Sequence, residues 1–484
     1  MRFAARLGLL CAVALGTLGA NRSGGDLVSL LQHMRAATGP VFQTHFVSVS
    51  RLTLGGGQSV VSSDSEGLRL TVRHCTGELC NGTYFDGQHL YSINMNGTTL
   101  ARSLEPEPFL RSLRIVASLA FLSPSFLSRG GQVGAAGTGT IDGKPYRTIV
   151  VGEVNAVPLR LYIDPQTALI RLAREVGGNE RFEYRAYRRV GIFTLPFEVL
   201  HDGQLFERYD DRAPVSSRLA VPHGPIPSFK GPPAAVPTDP RSVTPIVDCS
   251  LGGVALRCLV DTGNSGLSMS SELASRLGGP VVGTYQILGL GGYSTEVVRA
   301  GPLRVGNATY PDAYYAVLTD LRRYGYDVVL GADVMASTGI QIDGAAHVIR
   351  FGTPIAQSRV AVPLSFENFV PVVTIGLGNV ETSLAVDTGD ESNINLTYDF
   401  YGKHPGLFNV TQRRFVSGIG GSSVEMIGQI PQVTIGDYRA GPQEIGTTQT
   451  LHGTAFGHLG AAFLQQFVVQ LDYAGAELRL IPRT

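Results

Sequence analysis

The sequence predicts a mainly β protein, an α+β antiparallel-sheet domain followed by two repeated β lobes. Three observations carry that reading. Runs of alternating apolar and polar residues recur from about Phe46 to Leu200, the period of a half-buried strand. Glycine and proline are abundant, 60 and 27 of 484 residues, which suits a chain that turns often. From Val243 onward the chain repeats itself: Leu259-Val-Asp261-Thr262-Gly263 returns as Ala385-Val-Asp387-Thr388-Gly389, 126 positions later.

Bulk composition narrows the function classes. At 43% apolar residues the chain can build sizeable cores, and its length allows two to four domains. The 39 basic and 39 acidic residues cancel, which argues against a nucleic-acid binder held by a basic face. The N-terminus has the pattern of an export signal, residues 1–20: Arg2 and Arg6 precede an apolar run from Leu7 that closes on Leu18-Gly19-Ala20. That run is short of the ~20 residues a membrane-spanning helix needs. An exported, periplasmic or secreted protein is therefore expected. Beyond Cys11 in the signal, the cysteines form two close pairs, Cys75/Cys80 and Cys249/Cys258, which are disulfide candidates in an oxidising compartment, with buried thiols as the alternative. His74 beside Cys75-x4-Cys80 lacks a fourth ligand for zinc, so no metal site is expected. Six Asn-x-Ser/Thr sequons occur, among them Asn81 and Asn307.

Taken in order, Leu27, Leu30, Leu31 and Met34 have helical spacing and open a domain spanning 26–211. Strands are expected at 47–54, 67–73 and 89–95, with Cys75–Cys80 clamping a loop between the last two. Phe109 to Phe126 reads as helical, broken at Ser123-Pro124-Ser125. Asp142-Gly143 marks a hairpin turn between two strands, and further strands follow at 159–163, 169–173, 181–185 and 197–200. Tyr84-Phe-Asp-Gly-Gln-His-Leu-Tyr91 and Ile163-Asp-Pro-Gln-Thr-Ala-Leu-Ile170 resemble phrases of the periplasmic lipoprotein-carrier folds. That resemblance implies a curved sheet around an apolar cavity and a possible apolar ligand. The proline-rich stretch 212–240 reads as a semi-rigid linker or strap.

Two lobes, 241–355 and 360–484, follow. Val243 to Asp261 aligns without a gap on Phe369 to Asp387, each copy reading strand, tight turn (Gly252-Gly253; Gly378-Asn379), strand, Asp loop. Farther on the offset becomes 129: Gly289-Leu290-Gly291-Gly292 matches Gly418-Ile419-Gly420-Gly421, Val329-Leu330-Gly331 matches His458-Leu459-Gly460, and Ile340–Asp343 matches Val469–Asp472. A two-residue turn at Gly252-Gly253 sets Cys249 opposite Leu256, making Cys249 and Cys258 diagonal neighbours.

This doubled pattern resembles the retropepsin-like aspartic proteases, as a retroviral-type dimer fused into one chain over Val243 to Ile481. The resemblance implies a bilobal β-barrel pseudo-dimer and an aspartic endopeptidase acting on peptide or protein substrates. Asp261 and Asp387 would share one proton and activate water, with no cofactor and with the whole site inside one chain. Thr262 and Thr388 would bond across the interface, and Gly263 and Gly389 would admit close backbone approach. Gly289–Gly292 and Gly418–Gly421 would be flaps over the substrate, with Tyr293 beside the first. The residues leave two other readings open, an inactive peptide-binding protein and an apolar-ligand carrier. The second lobe follows its triplet with Asp390-Glu391 where the first has Asn264-Ser265, extra acids that would either raise the dyad pKa values or pair with a local arginine. By its position in the repeat, His458 reads as structural.

Overall fold

The computed structural model describes residues 23–483 apart from 51–57, 65–67, 104, 217–218, 320, 353–359 and 449–454. The expected signal segment and most of the strand expected at 47–54 lie outside the described residues or their described side chains. The protein is mainly β, as expected, and its contacts divide it into two compact units.

The first unit comprises residues to Leu70, Asp86–Gln88 and Glu107–Leu219. Its antiparallel strands run, in sheet order, Gln58–Asp64, His45–Ser50, Gln204–Val215, Glu198–His201, Arg181–Arg185, Ile170–Glu175, Leu159–Ile163, Lys144–Gly152 and Gln132–Ile141. Asp142 and Gly143 both have positive φ, the geometry a two-residue hairpin needs to match strand twist. Helix Ser23–Thr38 buries Leu30 and Met34, four residues apart on one face. The apolar run after Phe109 forms helix Pro108–Ala117 and then a short helix, Pro124–Ser128. Pro124 sits at the start of that second helix, where its missing N–H costs nothing, and Ser123 caps it.

The second unit comprises Thr71–Phe85, His89–Pro106 and everything from Ala220. Nine strands of its first repeat are β1 Ile246–Leu251, β2 Val254–Val260, β3 Leu267–Ser270, β4 Val281–Leu288, β5 Gly292–Ala300, β6 Leu303–Val305, β7 Ala308–Tyr310, β8 Ala313–Leu318 and β9 Val328–Leu330. They assemble in the order β7-β6-β1-β2-β9-β3-β8-β5-β4. The second repeat supplies β10 Val370–Leu377, β11 Val380–Asp387, β12 Ile394–Thr397, β13 Gln412–Gly418, β14 Gly421–Ile430, β15 Val433–Ile435, β16 Tyr438–Ala440, β17 Gln443–Thr448 and β18 Gly457–Gly460. Their order, β16-β15-β10-β11-β18-β12-β17-β14-β13, is the same arrangement strand for strand.

Besides the strands Leu79–Phe85, Leu90–Ile93 and Thr99–Ala101, the unit holds a six-stranded sheet. At its centre Ile340–Asp343 pairs antiparallel with Phe467–Asp472, the corresponding segment of the other repeat, with Ile342 opposite Val469. The proline-rich stretch is not idle here. Ser228–Phe229 pairs with β7, and Ala235–Pro237 forms the edge of the six-stranded sheet against Val348–Phe351. One apolar core runs through both repeats, including Val260, Leu330, Val386 and Leu459, all essentially inaccessible to solvent.

Candidate active site

Each Asp-Thr-Gly loop is delivered by a buried apolar strand. β2 ends on Val260 and runs parallel to β9, pairing Val260 with Leu330. β11 runs parallel to β18, pairing Val386 with Leu459. Flanking on both sides leaves these strands nowhere polar to point, which is why both approaches to the aspartate are continuous apolar runs.

The two loops meet. Thr262 N–H donates to Thr388 Oγ1 at 3.1 Å, and Thr388 N–H to Thr262 Oγ1 at 2.9 Å. Each hydroxyl then donates onward to the other strand, Thr262 Oγ1 to the Val386 carbonyl at 2.5 Å and Thr388 Oγ1 to the Val260 carbonyl at 2.8 Å. Both threonines are buried, so all four bonds are made away from water, where an unmade one costs about 1–3 kcal/mol.

The two carboxyls face each other across these loops, each lying against the glycine of the opposite triplet. Glycine is required on both sides. A Cβ on Gly263 would lie 2.5 Å from Asp387 Cγ, and one on Gly389 the same distance from Asp261 Cγ, so any side chain would separate the pair. Asp261 Oδ1 accepts the Gly263 N–H at 2.8 Å. Asp387 Oδ1 accepts the N–H groups of Gly389 at 2.9 Å and Asp390 at 3.2 Å. Burial, then the charge of Asp387, push the Asp261 carboxyl well above its ordinary range.

His458 and Asp390 join this site. His458 Nδ1 lies 3.3 Å from Asp387 Oδ2 and 3.3 Å from Asp390 Oδ2. Burial alone would lower its pKa, but the hydrogen bond to Asp390 and the charges of Asp387, Asp390 and Asp261 prevail and raise it to about 9. Burial likewise works against the Asp390 carboxylate, yet the His458 bond and charge hold Asp390 below its ordinary value. The extra acid of the second loop is thus met by a histidine rather than an arginine, and Glu391 is exposed. Position in the repeat hid the role of His458; the available signal was a basic residue interrupting a pattern that has Val329 in the first copy.

The glycine-rich hairpins β4–β5 and β13–β14 meet at their tips. Leu290 N–H donates to the Ile419 carbonyl at 2.9 Å, and the two backbones pass so closely that a Cβ on Gly291 would fall 2.1 Å from the Gly420 oxygen. Beneath them Tyr293, Ile287, Tyr326 and Ile419 pack against Leu259, Leu318, Leu321 and Val329, an apolar wall on the side of the first loop.

A second polar cluster lies behind the first loop. Asp333, in the short helix after Gly331, is fully buried and takes hydrogen bonds from Asn94 Nδ2 at 2.6 Å, Asn96 Nδ2 at 2.5 Å and Thr98 Oγ1 at 2.5 Å. Asn94 also donates to the carbonyl of Ser265, two residues past the triplet, at 3.0 Å. No sequence spacing announces these contacts, which span from 171 to 239 positions.

Both cysteine pairs are at disulfide distance. Cys75–Cys80 clamps the loop of a hairpin, and Cys249–Cys258 joins β1 to β2 with Cα atoms 5.9 Å apart. The register places Cys249 opposite Leu256 as expected.

Residues 247–334 match the family model of the aspartyl proteases. The matched stretch contains Asp261, the β4–β5 hairpin and Val329-Leu330-Gly331, and it supports a protease function. The second Asp-Thr-Gly copy lies beyond it. A comparison of the chain with curated proteins finds no match.

Proposed function

We propose that this chain is an exported aspartic endopeptidase whose two repeats form one active site. The observation that carries the reading is the meeting of the two Asp-Thr-Gly loops, Asp261 and Asp387 face to face over reciprocal glycines and threonines, beside an aspartyl protease match over the first repeat. Two carboxyls this close cannot both ionise, so one proton is shared. The ionised member takes a proton from a water molecule, which attacks the peptide carbonyl, while the protonated member donates to the carbonyl oxygen. The paired hairpin tips act as flaps that part to admit an extended peptide and close to exclude bulk water. The apolar wall of Ile287, Tyr293 and Tyr326 favours apolar side chains next to the scissile bond. Export is supported by the two disulfides and by the apolar run after Arg6; no helix among the described residues is long and apolar enough to cross a membrane.

The test is cleavage of casein and a peptide library from pH 3 to 9 by the wild type and by Asp261→Asn and Asp387→Asn. Cleavage by the wild type that both substitutions abolish supports the proposal. A silent wild type, or full activity in either variant, rejects it.

A further inference from the structure

We infer that His458 polarises the dyad: an imidazolium shared by Asp387 and Asp390 holds negative charge on Asp387, leaves the proton on Asp261, and sets the pH window of cleavage. The inference rests on the protease reading above and adds a positioning residue to it.

The geometry is specific to one lobe. His458 lies in β18 between β11 and β12, opposite Ala385 on one side and Asn395 on the other. Its counterpart in the first lobe is Val329, buried against Leu259. The counterpart of Asp390 is Asn264, whose amide donates to the Gly266 carbonyl at 3.3 Å and to Ser268 Oγ at 3.4 Å. Where the first lobe sets an amide and an alkyl group beside its aspartate, the second therefore sets an acid and a base. Asp387 accepts two backbone N–H groups and has the His458 imidazole, whose Nδ1 bonds Asp390, 3.3 Å from its Oδ2; Asp261 accepts a single N–H. Hydrogen bonds and an adjacent cation favour the ionised form of the group they touch, so the shared proton belongs on the less supported partner.

The surroundings do not cancel this bias. The acids nearest His458 are Asp387 and Asp390, with Asp261 beyond them. Tyr326 and Tyr473 lie within electrostatic reach of the dyad, and burial keeps both phenols protonated across the working range. Glu425, beyond Asp390, is met by Arg414 and by Asn395 Nδ2 at 3.1 Å. With its pKa raised to about 9, His458 is a cation at every pH where an aspartic dyad works. Its charge counters the rise of the Asp261 carboxyl, so the cleavage window lies at lower pH than the two acids alone would give.

The test compares kcat/KM from pH 3 to 9 for the wild type, His458→Gln, which keeps a donor without charge, and His458→Lys, which restores a cation. In His458→Gln both limbs are expected to move to higher pH by about one unit, the effect of losing an adjacent charge, with His458→Lys moving back toward the wild type. A uniform loss with unmoved limbs marks a merely structural role and overturns the inference. NMR titration of the His458 imidazole provides a readout independent of activity and of whether the His458 variants fold. Its midpoint is expected near 9 in the wild type and lower in Asp387→Asn; an equal midpoint in the two overturns the inference. A wild type that cleaves nothing rejects the protease reading alone, and the NMR midpoints then decide the charge pairing.

Discussion

The two repeats of the second unit share a strand order but not a chemistry. Around Asp261 the supporting groups are neutral: Asn264, Val329 and a single backbone N–H. Around Asp387 they are charged: Asp390 and His458. Behind the loops the contrast reverses. The first repeat buries a carboxyl, Asp333, where the second has Ala462, and satisfies it with Asn94, Asn96 and Thr98 from far upstream. The two halves share one strand order, and each carries a different polar network. A frame built from apolar strand pairs tolerates such divergence because its register depends on which face is apolar, not on the groups at the loop mouths.

The largest effect that can break this comparison is at the dyad itself. Replacing either aspartate by asparagine should lower kcat/KM by roughly a thousandfold or more, since proton transfer at this position is worth about 10²–10⁴. The two variants should differ in stability. Asp261 is held above its ordinary range by burial and by Asp387, so its contribution to stability is present at low pH and lost as the pH rises through its folded value. Asp261→Asn removes that loss, whereas Asp387→Asn takes a partner from His458. Urea denaturation at pH 7 should rank Asp261→Asn above Asp387→Asn by at least about 1 kcal/mol. Equal stabilities would mean the dyad is electrically symmetric.

The next effect belongs to the first repeat alone. Asp333→Ala leaves three donors facing an emptied site and should cost about 2–4 kcal/mol, while Ala462→Gly, at the matching place in the second repeat, should cost under about 1 kcal/mol as an ordinary helix change. The same network predicts that a chain beginning at Ala220 folds poorly, because it lacks the residues that satisfy Asp333. Soluble, cooperatively folding protein from such a chain, with Asp333→Ala neutral in it, would show the upstream segment to be a removable cover.

How much of this was legible in the sequence follows from the range of the interactions. The strand repeat, the Asp142-Gly143 turn and the helix of Leu30 and Met34 are local or periodic, and they read directly. The meeting of Thr262 with Thr388 was legible only because the repeat is doubled and resembles a known pairing. Two features could not be read that way. Asn94 falls inside the strand expected at 89–95 and Asn96 and Thr98 just beyond it, and nothing local reveals that their donors are spent on a carboxylate more than 230 residues away. His458 stood in plain view, but alignment to Val329 assigns it a packing role, since alignment transfers position and not charge. Proline-rich 212–240 has linker composition, yet Val236 is buried and its neighbours pair with a sheet edge, where proline is tolerated.

The His458 pair adds a pH signature of intermediate size. Its pKa is raised, so its contribution is complete below the unfolded value near 6.5 and lost as the pH climbs through about 9. Asp390 is lowered, so its share is present above the unfolded value near 4 and lost as the pH falls below it. Wild type should therefore exceed His458→Gln by on the order of 2 kcal/mol at pH 6, and the gap should close by pH 10. A gap independent of pH would assign His458 to packing.

The smallest effect tests whether the two frames are interchangeable at their first hairpins. Cys249 and Cys258 join β1 to β2; the second repeat holds Ile375 and Leu384 at the same places, both essentially inaccessible. Closing a loop of this length limits the unfolded chain by about 3 kcal/mol in the chain-entropy account. Burying larger apolar side chains offsets part of that, provided the first core yields enough room. The double substitution Cys249→Ile with Cys258→Leu should thus cost only about 1–2 kcal/mol, whereas Cys249→Ser with Cys258→Ser, which loses the cross-link and buries two hydroxyls, should cost about 2 kcal/mol more. Urea midpoints of both variants beside the wild type measure the difference. If the Ile/Leu variant is no more stable than the Ser/Ser variant, the first hairpin's core has closed around its sulfurs and the repeats have diverged in packing as well as in charge.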